Sequence, residues 1–76
     1  MNYVVEISAP AQLYARAVPT GAVAVGIVRK KSGETGALLR FRDGAYAQMN
    51  GLVLCPLNRR DVLRAMQAAR DSDLNG

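Results

Sequence analysis

The hydrophobic pattern is clearest in residues 36–55, where apolar runs are separated by two turn signals. Asp43-Gly44 and Asn50-Gly51 lie between these runs, and both dipeptides favour type I′ turns because the two central positions of such turns need positive φ. The pattern therefore predicts three antiparallel strands joined as a meander. We expect both connections to be two-residue loops.

The two turns decide which side chains face each other across the predicted meander. With two-residue loops, Arg42 lies opposite Ala45, and Phe41 lies opposite Tyr46 as a cross-strand aromatic pair. Neither face of the sheet is cleanly polar, although an antiparallel sheet with one wet face should alternate sharply. Two interpretations follow: the sheet curls into a partial barrel, or a second subunit covers its second face.

Two further strands are predicted before the meander. Residues 3–7 alternate and place their odd-numbered side chains on one face. Residues 22–31 also alternate, and the small residues on one of their faces, Gly26 among them, would let another backbone approach closely. Residues 11–18 fit either a strand or a short helix, with the balance towards strand or irregular structure.

The chain closes with a predicted helix, after Pro56 ends the last strand. Asn58 is a good N-cap, and Asp61 three residues later suits both a capping box and the helix dipole. The helix is expected over residues 59–70, followed by a frayed polar tail over residues 72–76. The predicted buried stripe consists of Val62, Leu63, Met66 and Ala69.

Composition excludes most catalytic chemistry. The chain has no histidine and one cysteine, Cys55, so it can form neither an intrachain disulfide nor a zinc site. Its six acidic residues show no spacing that suggests acid–base catalysis. Cys55 ends an apolar strand and is expected to be a small buried hydrophobe. We therefore expect no enzyme activity, no cofactor and no metal.

These elements predict one α+β domain over residues 1–71, because 76 residues supply a single small core. We expect a strongly curved, mostly antiparallel sheet of four or five strands with one C-terminal helix packed on it. Domains of this size often gain stability from disulfides, metals or a partner subunit. Since the first two are excluded by composition, a homodimer is expected.

Targeting signals are not evident in the sequence. Residues 1–8 lack a basic start, and the longest apolar run, 21–28, is much shorter than the roughly 20 residues of a membrane helix. A free thiol without a secretion signal fits a reducing compartment. We expect a cytoplasmic protein without a membrane partner.

An excess of basic residues is the strongest functional signal, with ten Lys and Arg against six Asp and Glu and a net charge of +4. Arg40 and Arg42 are predicted to project from one face of a strand, where they could lie along a phosphate backbone. The candidate site residues are Lys30, Lys31, Arg40 and Arg42 on the sheet, with Arg60 and Arg64 on the helix beside Arg59 as a secondary set. The alternative is that these side chains only keep the surface soluble.

Three segments also carry a resemblance to a group of proteins. They are Gly33-Glu34-Thr35-Gly36, Arg40-Phe41-Arg42-Asp43-Gly44-x-Tyr46-x-Gln48-x-Asn50-Gly51 and Leu57-x-x-Arg60-x-Val62. They lie within the run from Lys31 to Ala69, about half the chain, and this run resembles small uncharacterised proteins encoded in phages and prophages of proteobacteria. The resemblance implies an accessory protein that binds a host or phage macromolecule, and it carries over no catalytic residues. The helix-turn-helix of better-known phage regulators is not visible.

The sequence therefore predicts a small non-enzymatic binding module, with nucleic acid as the first choice of partner. The alternative is a protein–protein interaction module, such as a phage-encoded inhibitor or regulator of a host complex. In that case the same arginines would meet an acidic protein surface, or a sheet edge would pair with a partner strand.

Overall fold

Across residues 3–7 and 10–75, the computed structural model forms five strands and one α-helix. The strands are β1 (Tyr3–Ile7), β2 (Ala22–Lys30), β3 (Thr35–Phe41), β4 (Tyr46–Asn50) and β5 (Val53–Leu57), and the helix is α1 (Arg59–Asn75). They form one open antiparallel sheet in the order β1-β2-β3-β4-β5. The predicted α+β fold, with its meander and C-terminal helix, is confirmed.

Helix α1 packs chiefly against β1 and covers one face of the sheet. Its start is fixed by Asn58, whose side-chain Oδ1 accepts a hydrogen bond from the backbone N–H of Asp61 at 3.1 Å, as the predicted N-cap requires. Val62 and Ala65 are buried against the sheet. The core on this side contains Tyr3, Val5, Val28, Leu38, Tyr46, Val62 and Ala65, with Val25, Leu57 and Met66 packed around it.

Two details of the predicted helix are wrong. Leu63 was expected in the buried stripe, but it is exposed, and Ala65 takes its place because residues 62, 65, 66 and 69 share the inner face. The helix also continues to Asn75, so most of the predicted tail over residues 72–76 is helical, while Gly76 lies outside the described residues. No glycine or proline interrupts residues 59–75, and Gln67 donates a hydrogen bond to Asp71 within the helix at 3.0 Å.

The opposite face of the sheet is covered partly by the chain itself. Residues 11–18, which the sequence left open, contain a short 3₁₀ helix at Ala11–Leu13 and no strand. Ala11 is buried in a second cluster with Ala37, Leu39 and Met49, and Tyr14, Ala15, Ala22 and Phe41 pack against it. The sheet does not close into a barrel, and the segment around Ala11 packs over part of its second face.

The first turn of the meander is longer than predicted. The backbone N–H of Phe41 donates to the carbonyl oxygen of Ala45 at 2.9 Å, so residues 42–44 form a three-residue loop whose glycine has a φ of 88°. Arg42 therefore lies in the loop and does not face Ala45. Because the loop has one residue more than predicted, the register between β3 and β4 shifts by one residue and Tyr46 pairs with Arg40. The predicted Phe41–Tyr46 pair is therefore also wrong.

The second turn has the predicted length but lies one residue further along the chain. Asn50 pairs with Val53, which leaves Gly51 and Leu52 as the loop. Pro56 was expected to end the last strand, but it pairs with Ala47 inside β5. Proline is tolerated there because β5 is an edge strand, where a missing N–H does not interrupt a central ladder.

Tyr3 links β1 to the start of the helix, in surroundings that raise the pKa of its phenol. Its hydroxyl donates a hydrogen bond to the backbone oxygen of Asn58 at 3.3 Å. Burial, and then the nearby carboxylate of Asp61, raise the pKa of Tyr3 above its usual value near 10. The folded chain therefore keeps the phenol protonated at pH values where the unfolded chain loses the proton.

We expect the free energy of unfolding to fall as the pH rises above about 10, because only the unfolded state then releases the Tyr3 proton. The variant Tyr3→Phe should lose about 1 kcal/mol at neutral pH through the missing hydrogen bond and should show a flatter alkaline decline. Urea unfolding at pH 7, 9 and 10.5 measures both. Parallel declines for the two proteins would contradict this assignment.

Candidate nucleic-acid interface

The structure places Lys30 and Lys31 at the opposite end of the β2–β3 pair from Arg40 and Arg42. Arg40 on β3 lies opposite Val23 near the start of β2, whereas Lys30 ends β2 opposite Tyr3. The seven steps along β2 from Val23 to Lys30 place the two basic positions about 20 Å apart at the usual rise of a strand. The predicted continuous surface from Lys30 and Lys31 to Arg40 and Arg42 is therefore not formed.

Lys30 already has partners within the chain. Its Nζ lies 3.6 Å from a carboxylate oxygen of Glu34 and 3.9 Å from Sγ of Cys55. The second contact reaches from β2 to β5 across two intervening strands, which shows how strongly the sheet curves. Cys55 is exposed, so its predicted burial is wrong: an edge strand that the helix does not cover leaves its side chain at the surface.

A buried polar side chain lies on the same face, next to Cys55. Gln48 pairs with Cys55 across the β4–β5 ladder and is only 1% exposed. It fits because Gly36 has no side chain: a Cβ at that position would lie 2.7 Å from Cγ of Gln48. Among the described residues, neither Nε2 nor Oε1 of Gln48 has a hydrogen-bond partner. Such a group destabilises a fold, because it loses its water without gaining a replacement.

Replacing Gln48 with methionine, which has a similar size, is expected to raise the free energy of unfolding by about 1–2 kcal/mol. The matched control is Gln12→Met at an exposed position, which should change stability by less than about 0.5 kcal/mol. Urea unfolding monitored by circular dichroism gives both values. A lower stability for Gln48→Met would mean that the amide is hydrogen-bonded in solution.

At the other end of the sheet, the β3–β4 loop meets the start of the helix. Arg59, the first residue of α1, lies against Gly44, where a Cβ added to the glycine would be 3.6 Å from Cζ of the guanidinium. Arg42 is exposed in the same loop, and Arg40 is exposed one position before the loop-closing residue Phe41. The strand, its loop and the helix therefore bring three arginines to one end of the molecule.

The first turns of α1 continue this basic surface. Arg60 and Arg64 are one helical turn apart and exposed, and with Arg59, Leu63 and Gln67 they line a shallow depression on the outer side of the helix. We call Arg40, Arg42, Arg59, Arg60 and Arg64 the basic end. Arg59 was not a predicted site residue, because its place beside the loop follows from the strand register rather than from sequence spacing.

The arginines of the basic end have no acidic partner in the part of the chain that the structure describes. Among the described side chains, Lys30–Glu34 is the only ion pair, so no carboxylate lies within salt-bridge distance of these five guanidinium groups. Asp43 and Asp61 belong to the same end, but Asp43 accepts a hydrogen bond from the N–H of Ala45 at 3.0 Å. Five positive charges against two negative ones leave a local positive field that favours an anionic partner.

Aromatic side chains form no fully exposed platform at the basic end. Tyr3 and Tyr46 are buried beneath the helix, and Phe41, which lines a depression with Arg40 and Arg42, is half-buried against the second cluster. Base stacking on an exposed aromatic platform is therefore not the mode of contact that this arrangement favours. Arginine contacts to phosphate or to base edges fit it better.

Within the part of the chain that the structure describes, no cluster of three or more His, Cys, Asp or Glu side chains is placed to hold a metal ion. None of the described helices is both long enough and apolar enough to cross a membrane. Comparison with protein-family models, with curated proteins and with solved structures found no match.

Proposed function

We propose that this protein is a small non-enzymatic module that binds nucleic acid through its basic end. The observation that carries the proposal is the convergence of five arginines, from β3, the β3–β4 loop and α1, without carboxylate partners among the described side chains. Guanidinium groups bind phosphate oxygens bidentately and are the side chains best suited to repeated phosphate contact.

The exposed side of helix α1 indicates how the protein would contact nucleic acid. Arg60, Arg64 and Gln67 lie on the side of α1 that faces away from the sheet, and no other element of the described chain covers them. An exposed helix of this kind fits the major groove of a duplex, where arginine and glutamine can reach base edges. Arg40 and Arg42 would then contact the phosphates beside the groove.

Lys30 and Lys31 belong outside the principal contact surface in this proposal. Lys30 is held by Glu34 and Cys55, and Lys31 is exposed in the β2–β3 loop at the far end of the sheet. They add to the overall positive charge and to the rate of encounter rather than to the bound complex. We also infer a cytoplasmic location, in keeping with the exposed free thiol of Cys55.

Titration of labelled single- and double-stranded DNA and RNA at two salt concentrations tests the proposal. We expect micromolar or tighter binding at low salt, with an affinity that falls steeply as salt rises because bound phosphates release counterions. Comparing the four nucleic acids identifies the preferred type. An absence of binding to all four at low salt would rule the proposal out.

One observation favours the alternative, that the basic end contacts an acidic protein surface. Leu63 is 44% exposed between Arg60 and Arg64, and an apolar residue flanked by arginines is typical of protein interfaces. The partner would be a host or phage protein, as the phage resemblance implies. Co-purification from a host lysate that survives nuclease treatment and is lost in Arg60→Ala/Arg64→Ala would support this alternative.

A further inference from the structure

The free edge of the sheet at β5 exposes an unusual amount of apolar surface. Leu52 and Val53 are each 69% exposed and Leu54 is 43% exposed, although they follow one another in the chain. Val53 lies on the helix side of the sheet and Leu54 on the opposite side, and helix α1 packs at the other edge, on β1. Both faces of β5 are therefore open along with its outer backbone.

The side chains of this edge strand lack the charges that usually prevent an exposed strand from pairing with other chains. Residues 44–58 contain no charged side chain, although the chain has ten basic and six acidic residues in total. Natural edge strands commonly carry lysine or another charge that blocks pairing. Pro56, near the end of β5, cannot donate a backbone hydrogen bond to another strand, but it leaves residues 52–55 available for pairing.

We propose that β5 is the surface through which two copies of this chain associate, by antiparallel pairing of β5 with β5 of the second copy. This interface is independent of the nucleic-acid binding proposed above. Pairing around a two-fold axis makes the contact self-complementary, and it joins the two sheets into one.

Charge favours a second copy as the occupant of this edge. The side chains of β5 itself carry no charge, so they offer a highly charged partner no ion pairs and bring no charge of their own into a contact with an identical strand. The nearest charge, the ammonium of Lys30 at 3.9 Å from Sγ of Cys55, is already paired with Glu34. Each copy carries a net charge of +4, but antiparallel pairing directs the two Leu57 ends, and the basic ends that follow them, away from each other. The like charges of the two copies are thus kept apart.

Such a dimer has a definite arrangement of its other surfaces. A two-fold axis perpendicular to the joined sheet turns the same face of each copy to the same side. Both α1 helices and both Arg40 side chains would then lie on one side of a continuous ten-stranded sheet. The dimer would present two basic ends to a single extended partner, so affinity for long nucleic acid would exceed that for fragments that reach one site.

The first test compares Val53→Lys with Val4→Lys, which places the same charge on an equally exposed valine, 63% exposed, at the other sheet edge. Sedimentation velocity over a concentration series should show wild type and Val4→Lys at twice the 8.1 kDa monomer mass. Val53→Lys should raise the dimer dissociation constant by at least about tenfold, because the two-fold axis brings two lysines into one interface. Circular dichroism checks that both variants are folded.

A second test uses Cys55 and a series of single-cysteine variants made in a Cys55→Ala background, with cysteine at positions 52, 53 or 54. An antiparallel β5–β5 contact brings at least one of these positions within disulfide distance of its copy, so mild oxidation should give a covalent dimer. Cysteine at position 4 in the same background is the control and should give no covalent dimer. A monomeric wild type at all concentrations, equal effects of the two lysine variants, or no cross-linking at any β5 position would each overturn the proposal.

Discussion

Replacing both Arg40 and Arg42, the proposed phosphate contacts, with alanine is expected to lower the affinity for nucleic acid by roughly tenfold to a hundredfold at about 0.1 M salt. Each lost phosphate contact removes about one unit from the slope of log K against log salt, so the slope should fall by about two. Both side chains are exposed and make no hydrogen bonds or ion pairs among the described residues, so stability should change little. Fluorescence anisotropy over a salt series measures affinity and slope together.

The matched control is the double variant Arg16→Ala/Lys31→Ala. It removes the same charge from exposed positions at the opposite end of the sheet, where the backbone N–H of Arg16 is bonded to Gly51 and Lys31 lies in the β2–β3 loop. General electrostatic attraction predicts equal losses for the two double variants. A contact surface at the basic end predicts that the control keeps nearly the full slope, and equal slopes would count against that surface.

Replacing Gly26 with alanine is expected to destabilise the protein by about 3 kcal/mol or more. Gly26 pairs with Ile7 beside a register shift in β2, and a Cβ there would overlap the carbonyl oxygen of Glu6 and lie 3.0 Å from Cα of Ile7. All of these contacts are backbone atoms, so no side-chain rotation relieves them. A domain of this size has a total stability of only about 4–11 kcal/mol, so roughly a quarter to three quarters of it would be lost.

Gly33→Ala provides the comparison for this substitution. Gly33 lies in the β2–β3 loop with a φ of 95°, and a Cβ added there would have no neighbour within 4 Å, so alanine costs only the backbone strain of about 1 kcal/mol. The urea midpoints of the two variants and of wild type show how much stability each substitution removes. Similar midpoints would show that β1 can move away from β2 at little cost.

The sequence was sufficient to predict the order and type of the elements because each is marked by local chemistry. Asn58 caps the helix, and Gly26 permits the close approach of β1. The apolar run of residues 22–28 marks β2, although a register shift between Ala24 and Gly26 interrupts the predicted alternation of its faces. The register of the β3–β4 hairpin could not be predicted, because Asp43-Gly44 fits both a two-residue loop and the end of a three-residue loop. That one residue decides which face of the sheet carries Phe41.

The candidate site was predicted only in part for the same kind of reason. Lys30 and Arg40 belong to paired strands, but an antiparallel hairpin places residues near its loop far from those at its open end. The contribution of Arg59 depends on the β4–β5 pairing, which returns the chain to the β3–β4 loop at Leu57. Long-range register of this kind is not encoded in the spacing of charged residues.

The strand order also has a consequence for how the chain folds. Strands β2 to β5 are joined through the short connections 31–34, 42–45 and 51–52, and hairpins with such loops form within about 1–10 μs. β1 instead has to close the connection 8–21, and it packs against α1 from the other end of the chain. We expect pulsed hydrogen exchange to show late protection of the amides in residues 3–7. On the ribosome, β1 is synthesised before both β2 and α1, the two elements that it packs against. Its apolar side chains would therefore stay exposed until the helix has formed.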